Sequence, residues 1–363
     1  MKPLVELFPL IEDKIVAPVC VAMGPVWPVA KFAARIGGEP VCFQMDLYQS
    51  ARLNDGIREV GCAATVALAP DLWDLTQKFK TVVLPAQYDS DRELKIDLIE
   101  QAWHILEPGG KLVVVSEHMK DSLFAKQLKK VFGKCSMTPA SKVGTAFWAT
   151  KETDDGRARR RHEVNFHAKI GEGPSMNFIT RPGLFAYGKF DLGSRAMLEV
   201  AELKAGDRVL DMGSGCGAIG CLASTKIAPN GSVTFVDSNL RATALSELNA
   251  KANGVTNFKV HTASHFEGLA PESFDVVLAN PPYYANAEIA RLFVDAARGL
   301  LATNGRFYFV TRMPTATVGE VFAAFGDCSV IENRGYSVVL AEKKEKGEEI
   351  PSETNDSTIS VVR

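Results

Sequence analysis

The chain has 363 residues, which is long enough for two domains of about 100–200 residues each. A hydrophobic fraction of 46% supports packed cores, and a net charge of −2 excludes a chain-wide basic field for nucleic acid. No apolar run approaches the roughly 18 residues of a membrane span, and neither the seven scattered cysteines nor the six dispersed histidines form a metal-binding pattern. We therefore expect a cytoplasmic protein with reduced thiols, no membrane segment and no metal.

The first half of the chain repeats the pattern of the second half at a spacing of 195 residues. Leu106–Ser116 parallels Leu301–Thr311, and Val82–Tyr88 parallels Val277–Tyr283. A spacing this long predicts two similar domains rather than a solenoid of short repeats. Because strand-like and helix-like segments alternate in both halves, we expect an α/β fold with a parallel sheet in each domain.

Residues 1–155 lack the side chains that the second half places at its predicted ligand site. In place of a glycine-rich turn they carry Met23–Pro28, whose two prolines remove N–H donors. Trp27 is expected to fill the space of a ligand, and Asp46 is interpreted as a relic of an acidic residue in the second half. We predict a folded but catalytically silent domain; a second cofactor site with unusual ligands is the alternative.

Two polar segments flank the second domain. The tail, residues 343–363, has low hydrophobicity and is predicted to be disordered. The connection, residues 156–176, is charged and is either a solvated linker or a contact for nucleic-acid phosphates, which clustered arginines bind without sequence preference. Its clustered basic residues are Arg157, Arg159, Arg160 and Arg161.

The second domain is predicted over residues 177–342 and opens with a turn-rich aromatic segment. This segment directly precedes the first strand of the domain, where it could fold over a bound ligand as a lid. Its candidate contacts are Phe185, Tyr187, Phe190 and Asp191, and a packing role for the aromatic side chains is equally compatible with the sequence.

A glycine-rich turn follows that first strand. The buried-strand run Val209–Leu210 leads to three glycines at every second position, Gly213, Gly215 and Gly217. Glycine lets the backbone turn sharply and lets a ligand lie against main-chain N–H groups. The spacing also fits the Gly-x-Gly-x-x-Gly pattern of dinucleotide sites. Asp211 separates the two interpretations, because a carboxylate here would repel a diphosphate and attract a cationic amino-acid group.

Further polar residues follow the later strands. Asp237 ends a strand at the place where an acidic residue takes ribose hydroxyls in open α/β sheets. Ser264 follows the next strand, where a contact to adenine would fall. Ser214 and Ser238 complete the predicted ligand-binding set. Asn280 lies at the end of a further strand, on the sheet edge where such folds bind their ligands.

The run Asn280-Pro281-Pro282-Tyr283 predicts chemistry on a planar amino group. The nitrogen lone pair of such a group is delocalised, so the amine is a poor nucleophile until fixed acceptors orient its two hydrogens. We expect the side-chain carbonyl of Asn280 and the main-chain carbonyl of Pro281 to be those acceptors. The two prolines stiffen the loop, and Tyr283 offers a face on which a base can stack, worth about 1–3 kcal/mol.

Together these motifs resemble the S-adenosylmethionine site of Rossmann-like methyltransferases. Over most of its length the chain resembles the bacterial ribosomal RNA guanine-N2 methyltransferases, which carry two methyltransferase-like domains. The resemblance rests on Phe190–Ser194, Asp211–Gly217, Asp237, Asn280–Tyr283 and Asn304–Val310. It implies an α/β fold of two tandem Rossmann-like domains, the N-terminal one degenerate and the C-terminal one catalytic.

The same resemblance implies S-adenosylmethionine as cofactor and a guanine amine of ribosomal RNA, free or in a ribosomal subunit, as substrate. It also implies that the N-terminal domain aids RNA binding or folding. Two alternatives stay open. One is a protein (glutamine) or other N-methyltransferase, since release-factor glutamine and adenine-N6 DNA methyltransferases share the Asn-Pro-Pro-Tyr motif. The other is a non-catalytic RNA-binding assembly factor that holds the cofactor as a structural ligand.

Overall fold

The computed structural model describes residues 3–87, 91–118, 121–139, 141–281, 287–345 and 361–362. The chain divides into two compact units. Unit 1 comprises Met1–Glu163 with Arg181–Gly183, and unit 2 comprises Val164–Thr180 with Leu184–Arg363. None of the helices in these described ranges has the length and apolar character needed to cross a membrane.

Unit 1 is built on a seven-stranded sheet. Its elements in chain order are α1 (Pro3–Glu6), α2 (Phe8–Ile11), β1 (Val19–Ala22), α3 (Val26–Ile36), β2 (Val41–Gln44), α4 (Leu47–Glu59), β3 (Thr65–Leu68), β4 (Phe79–Ala86), α5 (Arg92–Ile105), β5 (Leu106–Ser116), α6 (Ser122–Phe132), β6 (Ser136–Met137) and β7 (Thr145–Thr150). The strand order is β3-β2-β1-β4-β5-β7-β6, and only the pairs made by β7 are antiparallel.

Unit 2 consists of a two-stranded hairpin followed along the chain by a second sheet with its helices. Its elements are β8 (Val164–Ala168), β9 (Met176–Thr180), α7 (Leu192–Val200), β10 (Arg208–Met212), α8 (Ala218–Ile227), β11 (Ser232–Asp237), α9 (Leu240–Ala252), β12 (Phe258–Thr262), β13 (Phe274–Ala279), α10 (Ala287–Leu300), β14 (Leu301–Thr311), α11 (Pro314–Phe325), β15 (Ser329–Asn333), β16 (Tyr336–Glu342) and β17 (Val361–Val362). The sheet order is β12-β11-β10-β13-β14-β16-β15-β17, and β8 pairs with β9.

The two sheets have the same topology. Without β17, the strand order of unit 2 repeats that of unit 1 element for element. The irregularity between β4 and β5 at Phe79 and Thr81 recurs between β13 and β14 at Phe274 and Val276. This agreement confirms the predicted pair of Rossmann-like domains, because the two sheets share both their strand order and the position of their register shift.

Each sheet is covered on both faces by helices. In unit 2, Val209 and Leu210 are fully buried neighbours on β10, yet they belong to two separate core clusters. Successive side chains of a strand point to opposite faces, so a strand buried on both sides is a continuous apolar run. Helices α7, α8 and α9 contribute to one cluster, and α10 and α11 contribute to the other.

A lysine makes the same hydrogen bond at the end of the antiparallel strand pair in each sheet. Lys151 donates from Nζ to the carbonyl of Leu106 at 2.9 Å, and Lys343 donates in the same way to Leu301 at 2.7 Å. Both lysines lie directly after the last strand of the repeat. The sequence repeat therefore extends to hydrogen bonds made by individual side chains.

The chain returns to unit 1 for three residues after β9. Arg181 of this segment is buried and donates to both carboxylate oxygens of Asp71, at 2.7 and 2.9 Å. Gly183 donates its N–H to Asp91 at 2.9 Å. A buried, bidentate Arg–Asp pair has a fixed geometry, so this short return is an ordered part of unit 1.

Two segments expected to lack secondary structure contain short strands. Residues 156–176, interpreted as a connection, include β8, whose Phe166 stacks on Phe178 of β9 with ring centres 5.3 Å apart. Residues 343–363, predicted to be disordered, include β17, which pairs with β15. β8 alternates apolar and polar residues and β17 consists of two valines, so neither strand is evident from average composition.

The turn after β1 is closed in unit 1. A Cβ on Gly24 would lie 3.0 Å from the side chain of Pro85, which occupies the position of Asn280 in the repeat. Trp27, expected to occupy the space of a ligand, is 43% exposed on α3 beside Gly56 of α4. Its effect on a ligand stays a prediction.

Candidate active site

The glycine turn of unit 2 combines one crowded side with one open side. Gly213, Gly215 and Gly217 all have positive φ, at 77°, 55° and 80°, which favours glycine. A Cβ on Gly217 would lie 2.9 Å from the backbone of Ser246 on α9, so the turn is pressed against that helix. A Cβ on Gly215 would meet nothing within 4 Å. The open side at Gly215 is where a ligand can approach the backbone.

The N–H groups of this turn are used within the protein. Gly213 and Ser214 both donate to the carbonyl of Val236, at 2.8 and 2.9 Å, and Gly215 donates to Asp237 at 2.8 Å. Gly217 donates to Ser214 at 2.8 Å. A diphosphate site needs such groups to point at the phosphate oxygens. The hydrogen bonding of the turn therefore favours a ligand with a cationic amino-acid group over a dinucleotide.

Asp211 lies fully buried beneath the turn at the end of β10. Its Oδ2 accepts a hydrogen bond from the N–H of Gly220 at 2.8 Å, and its Oδ1 is buried without a hydrogen-bond partner among the described residues. Burial, with a smaller contribution from Asp237, raises the pKa of Asp211 to about 7. A buried carboxylate oxygen without a partner fits a cationic ligand group such as an ammonium.

Asp237 holds the turn from the neighbouring strand. Its Oδ2 accepts from Gly215, and its Oδ1 accepts from the N–H of Asn239 at 2.9 Å, where α9 begins. The side chain is half-buried at the carboxyl end of β11. Each carboxylate oxygen has a second lone pair, so the hydroxyls of a ribose remain acceptable partners.

The buried face of α9 is a polar stripe that sequence analysis missed. The hydroxyls of Ser246 and Ser214 lie 3.0 Å apart, and Ser246 also donates to the carbonyl of Gly215 at 3.1 Å. Asn249 donates from Nδ2 to the carbonyl of Cys216 at 2.8 Å. The three-residue spacing of Ser246 and Asn249 places them on one helix face, and that spacing was the available signal.

The remaining predicted serines lie along the same sheet edge. Ser238 is half-buried directly after Asp237. The hydroxyl of Ser264 lies 2.9 Å from Nδ1 of His265, and the N–H groups of both residues donate to the carboxylate of Glu267. The loop after β12 is therefore ordered by Glu267, with the hydroxyl of Ser264 near its start.

Asn280 is held by two acceptors at the end of β13. Its Nδ2 donates to Oδ2 of Asp191 at 2.9 Å and to Oγ of Ser194 at 2.8 Å. Both amide hydrogens are thereby used, and within the described part of the chain no group donates to the side-chain carbonyl. The amide orientation is assigned from this network. The network leaves the carbonyl oxygen of Asn280 as a fixed acceptor.

The two residues that hold Asn280 begin helix α7. Asp191 caps the helix, because its Oδ2 also accepts from the N–H of Ser194 at 2.8 Å. A Cβ on Gly193 would lie 3.0 Å from Oδ2 of Asp191 and 2.9 Å from the ring of Tyr336. The segment interpreted as a lid therefore contributes Asp191 to the site.

The aromatic residues of that segment have other surroundings. The Phe190 ring lies 5.2 Å from the guanidinium of Arg195 and packs on the core, and Phe185 is 52% exposed. Pro281 is buried after β13. Pro282 and Tyr283, both predicted site residues, lie outside the described residues. Across the described ranges, no group of three or more His, Cys, Asp or Glu side chains could hold a metal ion.

Comparison with known proteins places this architecture among methyltransferases. Residues 175–340 match the methyltransferase small domain family. The chain is 25% identical over 248 residues to the ribosomal RNA small subunit methyltransferase C of Vibrio vulnificus, covering 66% of this chain and 70% of that protein. It is 28% identical over 181 residues to the ribosomal RNA large subunit methyltransferase G of Klebsiella pneumoniae, covering 48% of each.

A solved structure shares the complete fold. It is a 16S rRNA N2 methyltransferase of T. thermophilus in complex with AdoMet and guanosine, with a TM-score of 0.72 and 20% identity. The match covers 93% of this chain and 92% of that one. The fold and the site thus define a Rossmann-like methyltransferase with a duplicated sheet. Within this class, the chain is similar in sequence to bacterial ribosomal RNA methyltransferases over 48–66% of its length.

Proposed function

We infer that this chain transfers a methyl group from S-adenosylmethionine to the exocyclic N2 amine of a guanine in ribosomal RNA. The observation that carries the proposal is the fixed amide of Asn280. Asp191 and Ser194 take both of its hydrogens, which leaves its carbonyl oxygen available as an acceptor for the substrate amine. The family, and the RNA substrates named for its relatives, supply the choice of RNA.

The amine is activated by acceptors rather than by a strong base. One hydrogen of the guanine amine is donated to Oδ1 of Asn280 and the other to the main-chain carbonyl of Pro281. These bonds make the nitrogen lone pair less delocalised into the ring and direct it toward the methyl group. They also stabilise the positive charge that develops on nitrogen. Pro282 stiffens the loop, and Tyr283 stacks on the base. The surplus proton leaves to water after transfer.

The cofactor is assigned to the open side of the glycine turn. The bound sulfonium supplies the methyl group. Asp211 fits the ammonium of its amino-acid part, because Oδ1 is buried and lacks a described partner. Asp237 fits the ribose hydroxyls from the end of β11. The further proposed contacts are Gly213, Ser214, Gly215, Gly217, Ser238 and Ser264, and Asn280 lies between cofactor and substrate.

Two finer statements belong to the same proposal. A ribosomal RNA substrate is presented either free or within a ribosomal subunit, and a cytoplasmic location follows from either. Unit 1 is catalytically silent in this proposal, because Pro85 packs onto Gly24 where unit 2 has an open turn and an asparagine.

The experiment is product mapping with the full chain. Purified protein is incubated with methyl-labelled S-adenosylmethionine and, in separate reactions, with ribosomal RNA or a protein fraction from a strain that lacks the gene. The RNA is digested to nucleosides and the protein to amino acids. We expect the label in N2-methylguanosine. Label in N6-methyladenosine or in methylglutamine of a protein fraction would replace this function with an alternative. Cofactor binding without transfer to any fraction would instead indicate an assembly factor.

A further inference from the structure

Unit 1 carries a cluster of cations that the proposed methyl-transfer site does not use. These cations, which we call the basic platform, lie around the C-terminal end of α5 and on the chain after β7. The members are Lys78, Lys151, Arg157, Arg159, Arg160 and Arg161. From the sequence, the arginines fit a solvated linker and a phosphate contact equally well.

The structure shows that the arginine segment is fixed to unit 1. The guanidinium of Arg157 lies 4.0 Å from the ring centre of Trp103, and its Nη1 donates to the carbonyl of Val131 at 2.7 Å. Arg159 lies 5.7 Å from the ring centre of Trp73 and donates to the carbonyl of that residue at 3.1 Å. Cation–π contacts of this kind hold a guanidinium in place, so this stretch is not a free linker.

A histidine, His104, lies among the cations of the basic platform. His104 lies between the rings of Trp73 and Trp103, with centres 5.6 and 5.2 Å away, and Lys78 donates to its carbonyl at 2.6 Å. The pKa of His104 is lowered to about 4. Burial is the largest cause, and the others are the cations Arg159, Lys151, Arg157 and Lys78.

Carboxylates neutralise part of the platform. Asp154 pairs with Lys151, and Asp155 accepts from the guanidinium of Arg157. Glu163 lies 3.9 Å from Arg161. Glu100 is bonded to His162 and lies near Lys130. Among the described members of the basic platform, Lys78, Arg159 and Arg160 have no carboxylate within 4 Å. Asp74 acts on Arg159, and Glu100 acts on Arg160, only over longer distances. These three cations form no ion pair with a described residue and can contact an external anion.

We propose that the basic platform binds the phosphodiester backbone of the RNA substrate. The planar guanidinium matches phosphate oxygens in two parallel hydrogen bonds, and a stacked guanidinium loses less freedom when it forms them. Contacts to phosphate position an RNA without reading its sequence. The choice of RNA as the anion rests on the proposed function of unit 2, whereas the cationic surface is independent of it.

The test compares the salt dependence of RNA binding. The full chain, without cofactor, is titrated against a fluorescein-labelled RNA stem-loop at several salt concentrations and followed by anisotropy. For Arg159→Gln/Arg160→Gln we expect binding about tenfold weaker at 0.1 M salt and a log–log salt slope that is shallower by about 1.4–1.8, since each lost contact removes about 0.7–0.9. The matched control, Arg52→Gln/Arg58→Gln on α4, removes the same charge elsewhere on unit 1 and is expected to keep the wild-type slope.

Equal slopes for the platform variant and the wild type would overturn the proposal. Equal losses in the α4 control would overturn it as well, because binding would then follow net charge. If the double variant unfolds, Arg160→Gln alone is measured, since no described residue hydrogen-bonds with that guanidinium. Binding to phosphatidylserine vesicles with the same dependence on Arg159 and Arg160 would replace RNA with a membrane surface. Failure of methyl transfer would leave this binding result unaffected, so the two proposals fail separately.

Discussion

Asn280 and Asp191, which are 89 residues apart in the chain, are joined by a hydrogen bond of 2.9 Å from the amide Nδ2 to the carboxylate Oδ2. The bond does more than orient the amide. A carboxylate on the N–H side of an amide polarises it and increases the negative charge on the carbonyl oxygen. Asp191 is therefore a positioning residue that also strengthens the acceptor for the amine.

Asp191→Asn separates these two effects. The new amide oxygen can still accept from Asn280 and from the N–H of Ser194, so geometry is kept while the charge is lost. We expect kcat about tenfold lower, or ~1.4 kcal/mol, with an unchanged dissociation constant for the cofactor. Asp191→Ala should cost more, and Ser194→Thr should retain activity that Ser194→Ala loses. Wild-type kcat in Asp191→Asn would leave only the orienting role.

Asn280→Ala removes the acceptor itself. Deleting one fixed group that stabilises transition-state charge typically costs about 10²–10³ in kcat. We expect a loss of this size while cofactor binding, measured by calorimetry, stays close to that of the wild type. Methylation at the normal rate in this variant would show that another group holds the amine.

Tyr283 lies outside the described residues, and its stacking role stays a prediction from sequence. Tyr283→Ala should remove a stacking interaction worth about 1–3 kcal/mol, which would lower kcat/KM for the RNA substrate by roughly 5- to 150-fold. Tyr283→Phe keeps the aromatic face and should behave as the wild type. Similar losses in both variants would point to the hydroxyl rather than to stacking.

Asp211 predicts an unusual pH dependence of stability. Its pKa is raised from 3.8 to about 7 in the folded chain, so ionisation is opposed by folding. The contribution of protonated Asp211 to the free energy of unfolding is complete below pH 3.8. It is lost as the pH rises to about 7, at about 1.4 kcal/mol per pH unit. In Asp211→Asn, the free energy of unfolding measured with urea should no longer fall in this way as the pH rises across this window. A saturating cofactor should also flatten it in the wild type, because an ammonium beside Oδ1 favours the charged form.

Gly220 is required by packing rather than by backbone conformation. A Cβ there would lie 2.4 Å from the ring of Phe235 and 2.8 Å from the side chain of Val233. Gly220→Ala should destabilise unit 2 by about 1–3 kcal/mol or more in chemical denaturation. Gly299→Ala on α10, where a Cβ would meet nothing within 4 Å, should be neutral or stabilising by up to about 1 kcal/mol. Equal effects at the two positions would contradict the packing argument.

Local patterns in the sequence were enough to predict the fold. The repeat from Leu106–Ser116 to Leu301–Thr311 predicted a duplicated domain, and identical strand orders confirm it. Buried strands are continuous apolar runs, and glycine turns mark the connections, so both can be recognised within about ten residues. The roles assigned to the individual site residues remain predictions for the variants above to test.

The hydrogen bonds that hold the site could not be predicted in the same way. Asp191 was a candidate contact of the site, but the bonds that Asp191 and Ser194 make with Asn280 span more than 80 residues, and no local pattern links these positions. Ser246 and Asn249 lie in the middle of a helix, where polar residues usually face solvent. Their contacts with the glycine turn depend on how α9 packs, which is decided by the whole sheet.

The contact between Pro85 and Gly24 also limits what a single substitution could restore in unit 1. The ring of Pro85 packs on the turn after β1, and this hydrocarbon contact stabilises the core of unit 1. Asparagine has about the same volume as proline, so Pro85→Asn would place a polar amide in this apolar contact without opening the turn. Helix α3 would still be preceded by Pro25, which has no N–H to offer a ligand. A change at position 85 alone is therefore expected to give unit 1 no cofactor site.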